Sequence, residues 1–364
     1  MKGKPQWPRP APPQPAGTGL VSVRSLNASP SPGFVEWLAE SRASIMVSTG
    51  DKLLTMGVDG SRLVFDELRF DVLMGLATGP DGAVYAASRW QLHDLRDALE
   101  GERGPAGEDQ LLINQLSHTT GFIGVRDVAV DGRGRVLFTT ALCNGVATVG
   151  DRLNFDMVYR PPFVSGDVAE EYCHVTGLAV DEEGELAYLT CAAETDQPAG
   201  WLRGLADGGV VVDVRAGAVL ARGLSLPCSP RLHAGRLYVA NGGTGELLRV
   251  DRRTGRTTCV VVLPGLARGI AFLADRAVVG CSVPPDEGPY AALPVALRPP
   301  AKPRHGLAVV NVGSGVVEHT LTLEAGSGEV HAVAIVQNAS RVGIRWHNLD
   351  TDGSFVLESP TGST

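Results

Sequence analysis

Histidines, carboxylates and arginines stand beside one short apolar segment that recurs along the chain. His174 is the sharpest of them. It follows Glu170, Glu171 and Cys173 and lies just ahead of an apolar run. A neutral imidazole there could take a proton near neutral pH or bind a metal; a histidine bonded to a neighbouring strand is the structural alternative. Glu194 and Asp196 follow the next run, where their carboxylates would serve as acid–base partners of His174 or as oxygen ligands. A solvated turn would account for them equally. His174, Glu194 and Asp196 are therefore the expected catalytic residues. Arg231 and Arg268 could clamp a carboxylate or phosphate, although Asp127 and Glu329 are available to pair with them, and that ion pair is the preferred reading. Arg89, Arg126 and His331 complete the expected substrate-binding set. His118, His174 and His233 would make a divalent-metal site if three elements brought them together, since no H-x-x-x-H or H-E-x-x-H spacing does so locally. Cys173 and His174 make a poor dyad, because adjacent strand residues face opposite ways. Neither a G-x-S-x-G elbow nor a phosphate-binding glycine loop is found.

The elements that position these residues follow from the repeat. Its copies are Gly75-Leu76-Ala77, Asp127-Val128-Ala129, Gly177-Leu178-Ala179, Pro230-Arg231-Leu232, Gly269-Ile270-Ala271 and Ala332-Val333-Ala334. They lie roughly fifty residues apart, too far for a solenoid and right for a propeller blade. Most copies lead through a turn such as Asp81-Gly82, Asp131-Gly132 or Glu183-Gly184 into a second apolar run. Small residues in the copies suit innermost strands crowded round a channel. The reading is an all-β chain forming a single six-bladed β-propeller. Runs at 45–48, 53–56 and 62–65 precede the first copy, while too little chain follows the last to finish a blade. N- and C-terminal strands should therefore pair and close the ring, which removes exposed sheet edges. The expected organisation is a disordered Pro-rich leader over 1–32, an amphipathic helix over 33–43 with Phe34, Trp37 and Leu38 on one face, the propeller over 44–350, and a disordered tail over 351–364.

Composition narrows the partners. The 364 residues are 44% hydrophobic and 20% charged, with a net charge of −8. That is ample for a core and unlike the basic footprint of a nucleic-acid binder. No run approaches the roughly 18 apolar residues of a membrane span. Six scattered cysteines without a C-x-x-C, and a start lacking an apolar signal region, point to a cytoplasmic protein with free thiols.

Several longer motifs are specific: Arg160-Pro161-Pro162-Phe163, Cys173-His174-Val175-Thr176-Gly177-Leu178-Ala179, Glu194-Thr195-Asp196 with Gly200-Trp201, Ser229-Pro230-Arg231, and Leu263-Pro264-Gly265 with Arg268-Gly269. On these, 44–336 resembles the uncharacterised propeller-like family known as domain of unknown function 4915. The resemblance implies a propeller and supplies no reaction.

Residues flanking the copies mark one mouth of the channel as the working face. The expected function is binding of a small polar metabolite there, with hydrolytic, lactonase-like or ring-forming chemistry, assisted by a divalent metal if one is held. Lactonases and strictosidine synthases offer the analogy of fold alone. The alternative is a non-catalytic propeller that binds a ligand or a protein.

Overall fold

The computed structural model describes residues 28–166, 169–298, 304–323 and 328–346. Six sheets stand round a channel. Their innermost strands are Leu73–Thr78, Val128–Val130, Val175–Val180, Pro227–His233, Leu266–Leu273 and Val330–Gln337, which define blades 1 to 6. The repeated segments fall on these strands. Each inner strand packs against the next, and the sixth packs against the first. This explains the small residues. A Cβ on Gly75 would meet Val128 Cγ2 at 2.8 Å, and one on Gly177 would meet the Ser229 nitrogen at 2.7 Å.

Blades 2, 3 and 4 run outward in chain order as four antiparallel strands. Blade 6 is the seam. Its inner strand comes from the C-terminal side and pairs with Ala43–Thr49, followed outward by Lys52–Asp59 and Arg62–Arg69. Ile45 sits opposite Ile335. The expected closure by N- and C-terminal strands is this sheet.

Two further strands clasp the neighbouring blades. Val342–Arg345 lies parallel to the outermost strand of blade 1, Gln110–Thr119. Ala28–Pro30 adds a fifth strand to blade 5 beside Val317–Leu323. This corrects the leader expected over 1–32: residues 28–30 are a strand, because the outer edge of blade 5 offers them a backbone ladder. The rest of that leader, 1–27, and the tail over 351–364 lie outside the described residues.

The amphipathic helix runs over Phe34–Ser41 and buries Phe34 and Leu38. Trp37 stacks on His319 with ring centroids 5.9 Å apart. Among the described residues, six apolar clusters fill the six joints between blades. Met46, Leu53, Leu73, Leu76 and Ala334, for example, join blade 6 to blade 1. The core is thus a ring of interfaces, the consequence of radial packing of twisted sheets. No helix among the described residues is long and apolar enough to cross a membrane.

Candidate functional site

All six inner strands enter from the same end of the channel, so the residues at their entrances converge. They line a small pocket made of Met74, Arg126, His174 and Thr176, Leu226 with Cys228 and Ser229, Arg268 and His331. Every blade contributes. The backbone at these entrances is unusual: Val72, His174, Leu226 and Ser229 hold φ of 51°, 52°, 46° and 48°. Left-handed backbone is unfavourable for side chains other than glycine and asparagine. Concentrated at one mouth, it marks a place where side-chain direction is held against local preference.

His174 is buried, and its Nδ1 lies 2.5 Å from Glu171 Oε1. Its ring stacks on Trp201 at 4.2 Å and 20°. Asn144 fixes the segment bearing both residues. Its Oδ1 accepts from the nitrogens of Tyr172 and Cys173 at 2.8 and 3.2 Å, and its Nδ2 donates to Glu170 O at 2.6 Å. Burial holds the His174 imidazole below its ordinary pKa despite the hydrogen bond to Glu171. Burial alone would raise the Glu171 carboxyl, but the hydrogen bond from His174, with the charge of Arg126, outweighs it, and its pKa is lowered. At neutral pH Glu171 is therefore an acceptor only and His174 is neutral. The proton must sit on Nδ1, which leaves Nε2 basic.

Arg268 crosses the mouth. It donates to His331 Nδ1 at 3.3 Å and Glu329 Oε2 at 3.4 Å, and lies 5.5 Å from the centre of the Tyr290 ring. Burial, then the charges of Arg268 and Arg126, push His331 down to about 3. It too is neutral. Arg126 forms no ion pair among the described residues, and its Nε is buried without a hydrogen-bond partner. Burial depresses its pKa, as does Arg268. The mouth therefore holds two guanidinium groups, two neutral imidazoles and the carboxylates of Glu171 and Glu329, with Arg126 left outside any ion pair among the described residues.

A roof covers one side. Ala192, Ala193, Trp201, Leu205, Leu293 and Val295 pack over Leu226 and Leu266, with Tyr290 against them. These residues come from two long connections, 192–208 in blade 3 and 283–305 in blade 5.

Four expected residues thus meet: His174, Arg126, Arg268 and His331. Others do not. Glu194 forms a two-pronged ion pair with Arg222 at 2.6 and 2.9 Å on the outer strand of its own blade. Asp196 is bound by the Ser165 nitrogen at 2.9 Å and hydroxyl at 2.5 Å. Neither lines the pocket, because the connection that carries them closes on itself through Glu194 N to Gly208 O. The carboxylate beside His174 is Glu171. Arg231 forms the preferred ion pair, two-pronged to Asp127 at 2.8 and 2.9 Å, and faces the cavity at the opposite end of the channel. Arg89 pairs with Asp71 at 3.3 Å on the rim. The three histidines expected round a metal are scattered: His118 reaches Asn154 O from the outermost strand of blade 1, and His233 stacks on Phe272 at 4.1 Å at the far end of its strand. Among the described residues no three metal-binding side chains converge.

Sequence reasoning missed Tyr290, and it missed the clamp that Asn144 makes. The available signal for Tyr290 was the length of the 283–305 connection, since long loops in compact domains are usually functional or mobile.

Comparisons with known proteins agree with this architecture. The family profile described as Domain of unknown function (DUF4915) matches residues 32–344. A solved structure titled as a nidogen/laminin complex is 12% identical, covering 81% of this chain and 99% of that one, with a TM-score of 0.52. A protein of unknown function from Bacteroides caccae is 11% identical over 81% of this chain and 98% of its own, with a TM-score of 0.40. The likeness to the nidogen/laminin structure, at that identity, shows the fold alone. No curated protein matches.

Proposed function

The chain belongs to the family described as Domain of unknown function (DUF4915), and we propose that its channel mouth binds a small metabolite bearing a carboxylate or phosphate and acts on it with a histidine base. The observation that carries this reading is Arg126. A guanidinium whose Nε is buried without a partner, beside a second arginine, is costly unless an anion completes it. Arg268 keeps donors available, since its contacts with Glu329 and His331 are long at 3.4 and 3.3 Å. Two arginines so placed would grip an anionic group and orient the molecule.

His174 supplies the chemistry. Glu171 holds its Nδ1 proton, so Nε2 would accept a proton from the bound molecule or from a water attacking it. The imidazolium formed is stabilised by the Glu171 carboxylate, and the arginines stabilise negative charge developing on oxygen. The Trp201 stack and the apolar roof restrict water on that side.

Calorimetric titration with a panel of small carboxylates and phosphate esters tests the reading. At least one should bind saturably, and Arg126→Met should weaken it tenfold or more without lowering the melting temperature. His174→Asn should retain binding and lose turnover. A panel that never binds, or an affinity indifferent to Arg126→Met, would sink the proposal. Binding without turnover in the unaltered protein would remove its catalytic half.

A further inference from the structure

On the face opposite the mouth, blade 4 gathers five arginines round one open cleft. Arg236 opens the second strand, Arg236–Asn241. Arg249 lies near the end of the third, Glu246–Val250. Arg252, Arg253 and Arg256 occupy the turn before the fourth, Thr257–Val262. All five are exposed. The one acidic residue in the lining is Asp251, and its carboxylate is committed to the turn. It accepts from the nitrogens of Arg253 and Thr254 at 3.0 and 2.7 Å and from the Thr254 hydroxyl at 2.8 Å.

One arginine is anchored. Arg252 donates from Nε to the Tyr188 hydroxyl at 3.0 Å and approaches Glu182 at 3.9 Å. Arg236, Arg249, Arg253 and Arg256 form no ion pair among the described residues. Clustered charge elsewhere is answered in some places: Arg96 meets Asp81 and Asp94, and Arg276 meets Asp275 and Glu318. Acidic residues outnumber basic ones 40 to 32, so partners were not scarce. Four uncompensated guanidinium groups in one concavity repel one another and concentrate positive potential there.

The occupant follows from what else lines the cleft. Thr254, Thr257 and Thr258 add hydroxyls, and Val250 is buried, so an acyl chain would find no exposed apolar wall. The charge is confined to one turn and two strands, not drawn out as the stripe that tracks a nucleic-acid backbone. Clustered phosphates on a compact molecule match both the shape and the fork geometry of arginine. We propose that this cleft binds a small soluble ligand carrying two or more phosphate groups, gripped by Arg236, Arg249, Arg253 and Arg256. The site is independent of the mouth and of the chemistry proposed there.

Inorganic tripolyphosphate titrated into the full chain provides the test. One saturable site is expected, weakening as salt rises. The double substitution Arg249→Gln with Arg256→Gln should reduce affinity at least tenfold while leaving the melting temperature unchanged. Arg126→Met at the mouth should leave tripolyphosphate binding as it was. The proposal is overturned by an absence of saturable binding, by an affinity indifferent to the double substitution, or by loss of binding in Arg126→Met. Sedimentation with phosphatidylinositol bisphosphate vesicles separates a soluble ligand from a lipid headgroup. Vesicle binding that tripolyphosphate cannot displace would also overturn it.

Discussion

The Glu171–His174 contact is where residue chemistry is most explicit. A carboxylate held ionised, 2.5 Å from a buried imidazole, fixes one tautomer and stabilises the cation that proton transfer would create. Glu171→Gln keeps the size of the side chain but loses that charge. In the activity assay for the mouth, turnover should fall on the order of 10²- to 10⁴-fold. Because Glu171 raises the His174 pKa, the acidic limb of the pH–rate profile should move to lower pH. Binding of the anion should change little. An unchanged profile would mean that Glu171 only packs against the ring. His174 was visible as a candidate because its type and its place before an inner strand are sequence properties. Its partner was misassigned to Glu194 and Asp196, since distance along a strand gives no direction for the loop beyond. Hydrogen bonding to Arg222 and Ser165 turned those carboxylates away.

Elements decide how rigidly the mouth is held. Each blade is an ordinary antiparallel sheet, but the joint between blades 6 and 1 carries an extra parallel strand, Val342–Arg345. Val342 and Ile344 are buried there, and Thr55 Oγ1 donates to Val342 O at 2.7 Å. The Asp109 carboxylate binds the nitrogens of Ser340 and Arg341 at 2.8 and 3.0 Å, tying the clasp to blade 1. Placing a charge in that clasp tests its contribution. Ile344→Asp should destabilise by about 3 kcal/mol or more, because an unpaired carboxylate enters an apolar joint. Urea denaturation measures this directly; a loss under about 0.5 kcal/mol would show the strand to be dispensable. The apolar Val342 and Ile344 suit a strand over Val342–Arg345. Its partner was not legible, because parallel pairing with a segment more than two hundred positions away leaves no local pattern.

At the scale of the whole molecule, closure and burial couple stability to pH. Burial holds His93 down to about 4 although Asn114 opposes it, and His331 lies at about 3. An unfolded chain would titrate both near 6.5. Above that value neither state binds the protons. As pH falls below it the unfolded chain takes them up and the folded one does not, so stability is lost down to the folded values. Each histidine costs up to about 1.4 kcal/mol per pH unit in that window. These two histidines alone should lower the unfolding free energy by about 3 kcal/mol between pH 7.5 and 5.5, and His174 and His305, also held down by burial, act in the same direction. His93→Gln should remove about 1.4 kcal/mol of the drop. A flat profile over the window would show that these histidines are solvated and titrate normally.

What the chain determines by itself is its local periodicity: six small apolar segments, the turns that follow them, and an incomplete last blade that requires strands from the other end. Those features suffice for a six-bladed ring and its seam, because blade spacing and strand count depend only on neighbours in sequence. Which side chains share the mouth was settled by the tertiary structure. The six inner strands run side by side, so entrance residues such as Arg126, His174, Arg268 and His331 meet although long stretches of chain separate them. The clamp of Asn144 joins blade 2 to the segment entering blade 3, the roof is built from connections in blades 3 and 5, and Glu194 is turned away within blade 3 by Arg222 on another strand. Packing of strands and blades, not local sequence, brings these contacts into being.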